Sequence, residues 1–254
     1  MLAIERRNAI LEKLQEEKRV VVSELSQMFE VSEETIRRDL EKFEQEGLAT
    51  KSYGGAVINE NINMDLPFNV RKNHNVVGKQ KIAAIVADMI GDGARIMLDA
   101  SSTAVAIAKA IKDRKNITLI TNSVEIIVEL FDVPGWTILS TGGIAKPGSF
   151  ALVGQLTDRM IAEYHVDLSV ISCKGLDMQS GFMDSDAQHA ANKNTMLHAA
   201  DKRILAVDKS KFSTVAFAKI GGLKDVDIVV TDVQPEDAWL QLFEANRVEC
   251  RYPK

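Results

Sequence analysis

Four short runs in the chain place hydrogen-bonding groups where an apolar stretch ends. Asp99-Ala100-Ser101-Ser102-Thr103 sits between an apolar run and a helical pattern, so its hydroxyls and free backbone N–H groups can hold a phosphate or sugar hydroxyls. The same run also reads simply as a good helix start. Thr121-Asn122-Ser123 and Ser140-Thr141-Gly142-Gly143 repeat the arrangement after the next two apolar runs, and three in succession exceed what capping requires. Further on come Lys174, the Gly181-to-Asp186 loop with Asp184, Lys193, and Asp208-Lys209-Ser210-Lys211. Lysines at strand ends can neutralise a phosphate, although any one of them alone also reads as solvated surface charge. The ligand-contacting candidates are therefore Asp99, Ser101, Ser102, Thr103, Asn122, Gly142, Gly143, Lys174, Asp184, Lys193, Asp208 and Lys211.

A second group lies near the N-terminus. In a helix over residues 32–46 that buries Ile36, Leu40 and Phe43, the residues Thr35, Arg38 and Lys42 fall near one exposed flank and Arg37 on another. Such a helix can lie in a DNA major groove, where arginine donates two bonds to guanine and hydroxyls such as those of Ser32 and Thr35 meet phosphates or bases. The alternative is that Arg37 and Arg38 are surface partners of Glu33, Glu34 or Glu41.

The elements that would position these groups follow from periodicity. Residues 4–17 read as a first helix, Ser23 as the cap of a second, Ser32 as the cap of the third, and Gly47 as its stop, with Glu30-Val31 as a tight connection. Two short helices so joined form a helix-turn-helix, and residues 48–57 then read as a hairpin or wing. Residues 58–75 lose periodicity and read as a linker that docks through Leu66, Pro67 and Phe68. From Val76 onward helical and strand-like runs alternate, which predicts a mostly parallel sheet covered by helices on both faces. The domain expectation is 1–57, a 58–75 linker, and 76–254 for ligand sensing and oligomerisation. The fold class is α/β.

Composition narrows the function. The chain has 254 residues, 46% hydrophobic and 26% charged, typical of a globular protein. It lacks an apolar run of membrane-spanning length, and its N-terminus is charged throughout, which predicts a cytoplasmic protein without a membrane partner. Cys173 and Cys250 are far apart and lack metal-ligand spacing, so free buried thiols are expected, with no metal and no cofactor. Net charge is −5, and residues 1–57 carry nine Lys/Arg against twelve Asp/Glu. DNA binding would then rest on local cations, with modest non-specific affinity and a need for oligomerisation.

The segment VVVSELSQMFEVSEETIRRDLEKFEQEGLATKSYGGAV resembles the N-terminal signature of the DeoR family of sugar-metabolism repressors. That resemblance implies that Ser32, Thr35, Arg37 and Arg38 face operator DNA and that Lys51, Tyr53 and Gly54 lie in the wing near phosphates. Residues from about 78 to 232, through LDASSTAVAIAKAI, LITNSVEI, STGG and AVDKSKF, resemble the DeoR sensor domain. That domain is similar to ribose-5-phosphate isomerase, whose Asp-x-Ser-Lys motif resembles Asp208 to Lys211. The resemblance implies a homodimeric or tetrameric repressor of a carbohydrate-utilisation operon, controlled by a phosphorylated sugar or sugar alcohol.

Two departures stand out. Family members often carry glycine where Ser101 stands and an Asn-Glu pair where Asp186-Ala187 stands. Asp184, Asp186 and His189 could supply replacement contacts, or the loop is merely solvated. The rival reading is a sugar-phosphate isomerase-like enzyme fused to a DNA-binding module. Its reaction needs a carboxylate base, and the matching position holds Asn192-Lys193-Asn194 instead. A third reading, a helix-turn-helix used only for protein contacts, predicts no salt-dependent DNA binding.

Overall fold

Ile10, Leu11 and Leu14 share one face of a helical repeat, and α1 (Ala3–Glu17) buries that face. A computed structural model describes residues 3–45, 48–58 and 68–253, which divide into two units, Met1–His74 and Asn75–Lys254.

In the first unit α1 leads through β1 (Arg19–Val21) into α2 (Val22–Phe29) and α3 (Glu33–Gln45), followed by β2 (Ala49–Ser52) and β3 (Gly55–Ile58). The three strands form one sheet in the order β1-β3-β2, and β2 with β3 makes the hairpin expected of a wing. Val20, Val22, Leu25, Ile36, Leu40, Phe43 and Ala56 complete the core around α1. Ser32 caps α3, its Oγ accepting from Thr35 N–H at 3.3 Å. Ser23 does not cap α2. That helix grows directly out of β1 from Val21, and the first N–H, on Val22, is satisfied by Gly54 C=O at 2.8 Å instead of by a side chain. The turn between α2 and α3 bends at Glu30, left-handed with φ 53°.

Gly47, Leu66 and Pro67 lie outside the described residues. The stretch read as a linker nevertheless contains a helix, α4 (Phe68–Asn73), with Phe68 buried and Arg71 5.4 Å above its ring. A helix of six residues is too short to show a helical period, so the loss of periodicity did not exclude it.

The second unit is built on seven parallel strands: β4 (Arg95–Leu98), β5 (Thr118–Thr121), β6 (Thr137–Ser140), β9 (Val166–Ile171), β12 (Ala200–Ala206), β14 (Ile228–Val230) and β15 (Glu249–Arg251). Their spatial order is β15-β14-β12-β9-β4-β5-β6. Near-continuous burial of β4, β5, β9 and β14 reflects covering on both faces by α5 (Val76–Ala87), α6 (Ser102–Ala110), α7 (Val124–Leu130), α8 (Gln155–Ala162), α9 (Ala187–His198) and α10 (Asp237–Ala245). Two antiparallel additions lie outside the alternation of helical and strand-like runs. One is the hairpin β7 (Ile144–Lys146) with β8 (Ala151–Val153). The other is the sheet of β10 (Gly175–Asp177), β11 (Gly181–Asp184) and β13 (Ala218–Gly221). Among the described residues no helix is long and apolar enough to cross a membrane.

The sheet grows from β4 through β5 to β6 on one side, then restarts with β9 on the other. The crossover direction therefore reverses between β4 and β9, and the carboxyl ends of these two strands flank the crevice that such a reversal opens.

Candidate functional site

Asp99 follows β4 and Ser172 follows β9, so both stand at that crevice. Asp99 is 1% exposed. One of its oxygens accepts from Ser101 N–H at 3.1 Å and Ser101 Oγ at 2.6 Å, and the other from Ser172 N–H at 3.0 Å. Ser101 Oγ also caps α6 by accepting from Ala104 N–H at 3.0 Å. Lys193 reaches in from α9, its Nζ 3.3 Å from Asp99, donating to Ser172 C=O at 2.9 Å and to Asp184. Asp184 is also 1% exposed. Burial pushes its carboxyl up, but Lys193, with Lys174 adding to it, outweighs burial and holds it at about 2. Lys193 is pushed upward in turn, because the attraction of Asp184 and Asp99 exceeds the opposing effect of burial. The site floor is thus a buried carboxylate–ammonium–carboxylate triad. Cys173 beside it is raised to about 12 by burial, despite Lys193 and Lys211, and stays a neutral thiol. Cys250 is a half-buried free thiol.

The neighbouring strand tips extend this floor. After β12, Asp208 is buried and accepts from Ser210 N–H at 2.9 Å; burial raises its carboxyl, yet Lys211 and the Ser210 bonds bring it below the usual range. Lys79 contributes to that lowering from α5. On the other side, Ser102 and Thr103 are buried in the first turn of α6. Asn122 after β5 donates to Leu152 C=O at 3.0 Å and accepts Leu152 N–H on its own backbone at 2.8 Å, clamping β8 over the tips, while its Oδ1 is buried with no hydrogen-bond partner. After β6, Gly142 C=O accepts from Thr157 Oγ1 at 2.8 Å. Gly143 has φ 111°, and a Cβ there would fall 2.2 Å from Thr157 Oγ1 and 2.7 Å from Val153 C=O.

The structure thus brings Asp99, Ser101, Lys174, Asp184, Lys193, Asp208 and Lys211 to adjacent tips of β4, β9 and β12. Asn122, Gly142 and Gly143 sit farther along, on β5 and β6, engaged with the β7–β8 hairpin and α8. In the acidic loop both carboxylates are engaged within the protein, Asp184 fully buried and Asp186 about a third exposed. Asp184 is taken by Lys193, and Asp186 caps α9 through Gln188 and His189 N–H while pairing with Lys146 at 2.6 Å. Sequence reasoning missed Lys79, which is 5% exposed. Its signal was available: positions 79, 82, 83 and 86 form the buried stripe of α5, and a lysine on an apolar stripe needs a partner.

In the first unit α3 presents Glu33, Glu34, Arg37, Arg38, Glu41 and Lys42 outward. Arg37 pairs with Glu33 at 2.6 Å and Arg38 with Glu34 at 3.4 Å. Lys51 on β2 pairs with Glu41 at 2.7 Å and so links the wing to α3; that hydrogen bond is what chiefly lowers the Glu41 carboxyl. Ser32 and Thr35 share a hydroxyl contact at 2.9 Å. Tyr53 stands fully exposed at the hairpin tip beside Gly54. Asp39 turns inward, where Arg6 donates to it at 2.7 Å with both side chains under 10% exposed, fastening α3 to α1.

Residues 6–61 match the family described as DeoR-like helix-turn-helix domain, and residues 74–233 match the DeoR C terminal sensor domain. The transcriptional regulator YulB of Bacillus subtilis is 39% identical over 249 residues, spanning 98% of this chain and 96% of its own. The glycerol-3-phosphate regulon repressor of Escherichia coli is 26% identical over 98% of both chains. Among solved structures, ribose 5-phosphate isomerase A from Methanocaldococcus jannaschii aligns with 53% of each chain at 17% identity and TM-score 0.38.

Proposed function

Because this chain belongs to the DeoR family of transcriptional regulators, we propose that it represses a carbohydrate-utilisation operon and that a phosphorylated sugar or sugar alcohol sets its operator affinity. Ser32, Thr35, Arg37, Arg38 and Lys42 meet operator DNA from α3, and Lys51, Tyr53 and Gly54 meet phosphates from the wing. In the sensor unit Lys79, Lys174 and Lys211 supply positive charge for the effector phosphate. Ser102, Thr103 and the first-turn N–H groups of α6 supply hydrogen bonds, and Asn122, Gly142 and Gly143 line the far side. Asp99, Ser101, Asp184, Lys193 and Asp208 hold the floor in place. The protein works in the cytoplasm as a homodimer or tetramer, since two helix-turn-helix units must occupy two half-sites.

One observation carries the choice of sensor over enzyme. Asp99 and Asp184 are both bound to Lys193, Asp208 is lowered by Lys211 and Ser210, and the Asp184 carboxyl, held at about 2, is a poor proton acceptor at neutral pH. This favours binding of a sugar phosphate over its isomerisation, since none of these carboxylates among the described residues is left as a free base. Glycerol 3-phosphate, after which the regulon repressed by the Escherichia coli relative is named, is a compound of this chemical class.

The test is a gel shift on the DNA upstream of the protein's own gene, titrated with a panel of sugar and sugar-alcohol phosphates. A salt-dependent, sequence-selective shift that one panel member alters is expected, and Lys211→Ala should retain the shift while losing that response. Absence of any selective shift, or turnover of ribose 5-phosphate, would overturn the reading.

A further inference from the structure

Asn75, the first residue of the second unit, follows His74 directly and is left-handed at φ 45°, a conformation that asparagine adopts more readily than most residues because its short side chain can bond locally. Two bonds hold it. Its Oδ1 accepts from Gly78 N–H at 3.2 Å, capping α5, and its Nδ2 donates to Asp232 Oδ2 at 3.1 Å. Asp232, just past β14, is 4% exposed. Its other oxygen accepts from Lys209 N–H at 2.8 Å, inside the turn that carries Asp208 and Lys211. One buried carboxylate therefore grips the start of the unit with one oxygen and the Asp208–Lys211 turn with the other.

Two neighbours show how tightly the clasp is built. A Cβ on Gly78 would lie 2.5 Å from both Asn75 Nδ2 and Asp232 Oδ2, so the clasp closes on the first turn of α5 only because that position is glycine. Lys79, the next residue, acts electrostatically on Asp208 and so provides a second tie between the turn and α5.

We propose that Asp232 is a positioning residue that transmits a change in the Asp208–Lys211 turn to Asn75 and thus to the chain joining the two units. This rests on the reading of the second unit as a sensor. A ligand drawing Lys211 toward itself moves Lys209 N–H, Asp232 then loses or shifts one of its two bonds, and the left-handed cap at Asn75 relaxes. The change arrives at the residue where the DNA-binding unit is covalently attached.

The Lys209 N–H can be deleted alone. Asp208 has φ −81° and ψ 165°, the extended backbone that a following proline requires, and the first position of a helical turn accepts proline. Lys209→Pro removes the bond to Asp232, whereas Lys209→Ala removes the same exposed side chain and keeps the bond. In the full chain, amide exchange at Gly78 and Lys79 should quicken by about tenfold or more in Lys209→Pro and stay at the wild-type rate in Lys209→Ala. Operator binding is then titrated with ribose 5-phosphate and with glycerol 3-phosphate, and occupancy is followed by tryptophan fluorescence. Trp239 packs edge-on against Phe212 at 5.0 Å, one residue past Lys211. The proline variant should bind the phosphate within about threefold of wild type while its operator affinity no longer responds. Equal exchange in the proline and alanine variants, or a full operator response in the proline variant, overturns the proposal. If wild type itself responds to neither phosphate, the sensor reading fails for these ligands, and the exchange comparison alone decides whether the tie exists.

Discussion

Replacing Lys193 with methionine should destabilise the second unit severely and in a pH-dependent way. The substitution keeps the length and apolar stem of the side chain but removes the ammonium from between Asp99 and Asp184, each 1% exposed. In the wild type the drop of Asp184 from its ordinary 3.8 to about 2 corresponds to about 2 kcal/mol of folding free energy, an order-of-magnitude figure. Two uncompensated carboxylates left in a buried site add to that, and breaking a buried ion pair from one side typically costs about 3–5 kcal/mol, a large part of a domain's stability. The pH dependence follows from the sign of each shift. In the wild type Asp184 is depressed, so its contribution is complete above about pH 4 and is lost as pH falls through about 2. In Lys193→Met the largest lowering cause is gone, and burial, opposed by the weaker pull of Lys174 and His189, raises the carboxyl, so the folded state favours the protonated acid. The deficit is then largest at pH 7 and shrinks toward pH 4. Urea unfolding followed by tryptophan fluorescence measures it directly, because Trp136 and Trp239, the two tryptophans of the chain, both belong to the second unit. Asp184→Asn added to Lys193→Met should recover part of the loss. A deficit below about 1 kcal/mol, or one equal at pH 7 and pH 4, would refute the argument that the three charges form one buried unit.

Asp39→Ala should cost about 3–5 kcal/mol in the first unit by stranding the buried Arg6, and should abolish operator binding although Asp39 faces inward; circular dichroism melts separate this from a contact effect. Arg37→Ala and Arg38→Ala should do the reverse, eliminating the operator shift while leaving the melting curve within about 0.5 kcal/mol of wild type, because both side chains are more than half exposed. If an arginine contacts a phosphate, the slope of log affinity against log salt should also fall by about 1 in its variant. Gly143→Ala should destabilise by about 1–3 kcal/mol, since φ 111° and the approach to Thr157 Oγ1 both oppose a Cβ, and should weaken the effector response in the same gel shift.

The alternation of helical and strand-like runs made the parallel sheet legible, because strands buried on both faces are long apolar words between helices. The helix-turn-helix was legible for the same reason, with Ser32 as its cap. Ser23 misled because the cap of α2 is a backbone carbonyl from Gly54, more than thirty residues away, and no local pattern reports such a bond. The strands β7, β8, β10, β11 and β13 were invisible because they stand outside the alternation of helix and strand that marks the parallel sheet, and β11 finds β13 only across α9 and β12. Within the site, Asp184 and Lys193 were each readable as candidates. Their pairing was not, since it depends on α9 folding back over the tip of β9. Lys79 was overlooked although its place on an apolar stripe marked it.

On the proposed docking of α3, the carboxylates of that helix and their partners would give the DNA-facing surface an unusual property. Arg37, Arg38 and Lys51 are each already held by a glutamate of the same helix. Those glutamates are tethered competitors, present at an effective concentration that dilution cannot lower. On that docking a duplex would displace them before it gains a cation, at a cost of up to about 1 kcal/mol for each exposed pair. Exchanging chloride for free glutamate in the buffer should therefore alter operator affinity less than for a helix with unpaired arginines. On the proposed docking, the same acidic residues that make the unit's net charge look wrong for its partner would then count against random DNA.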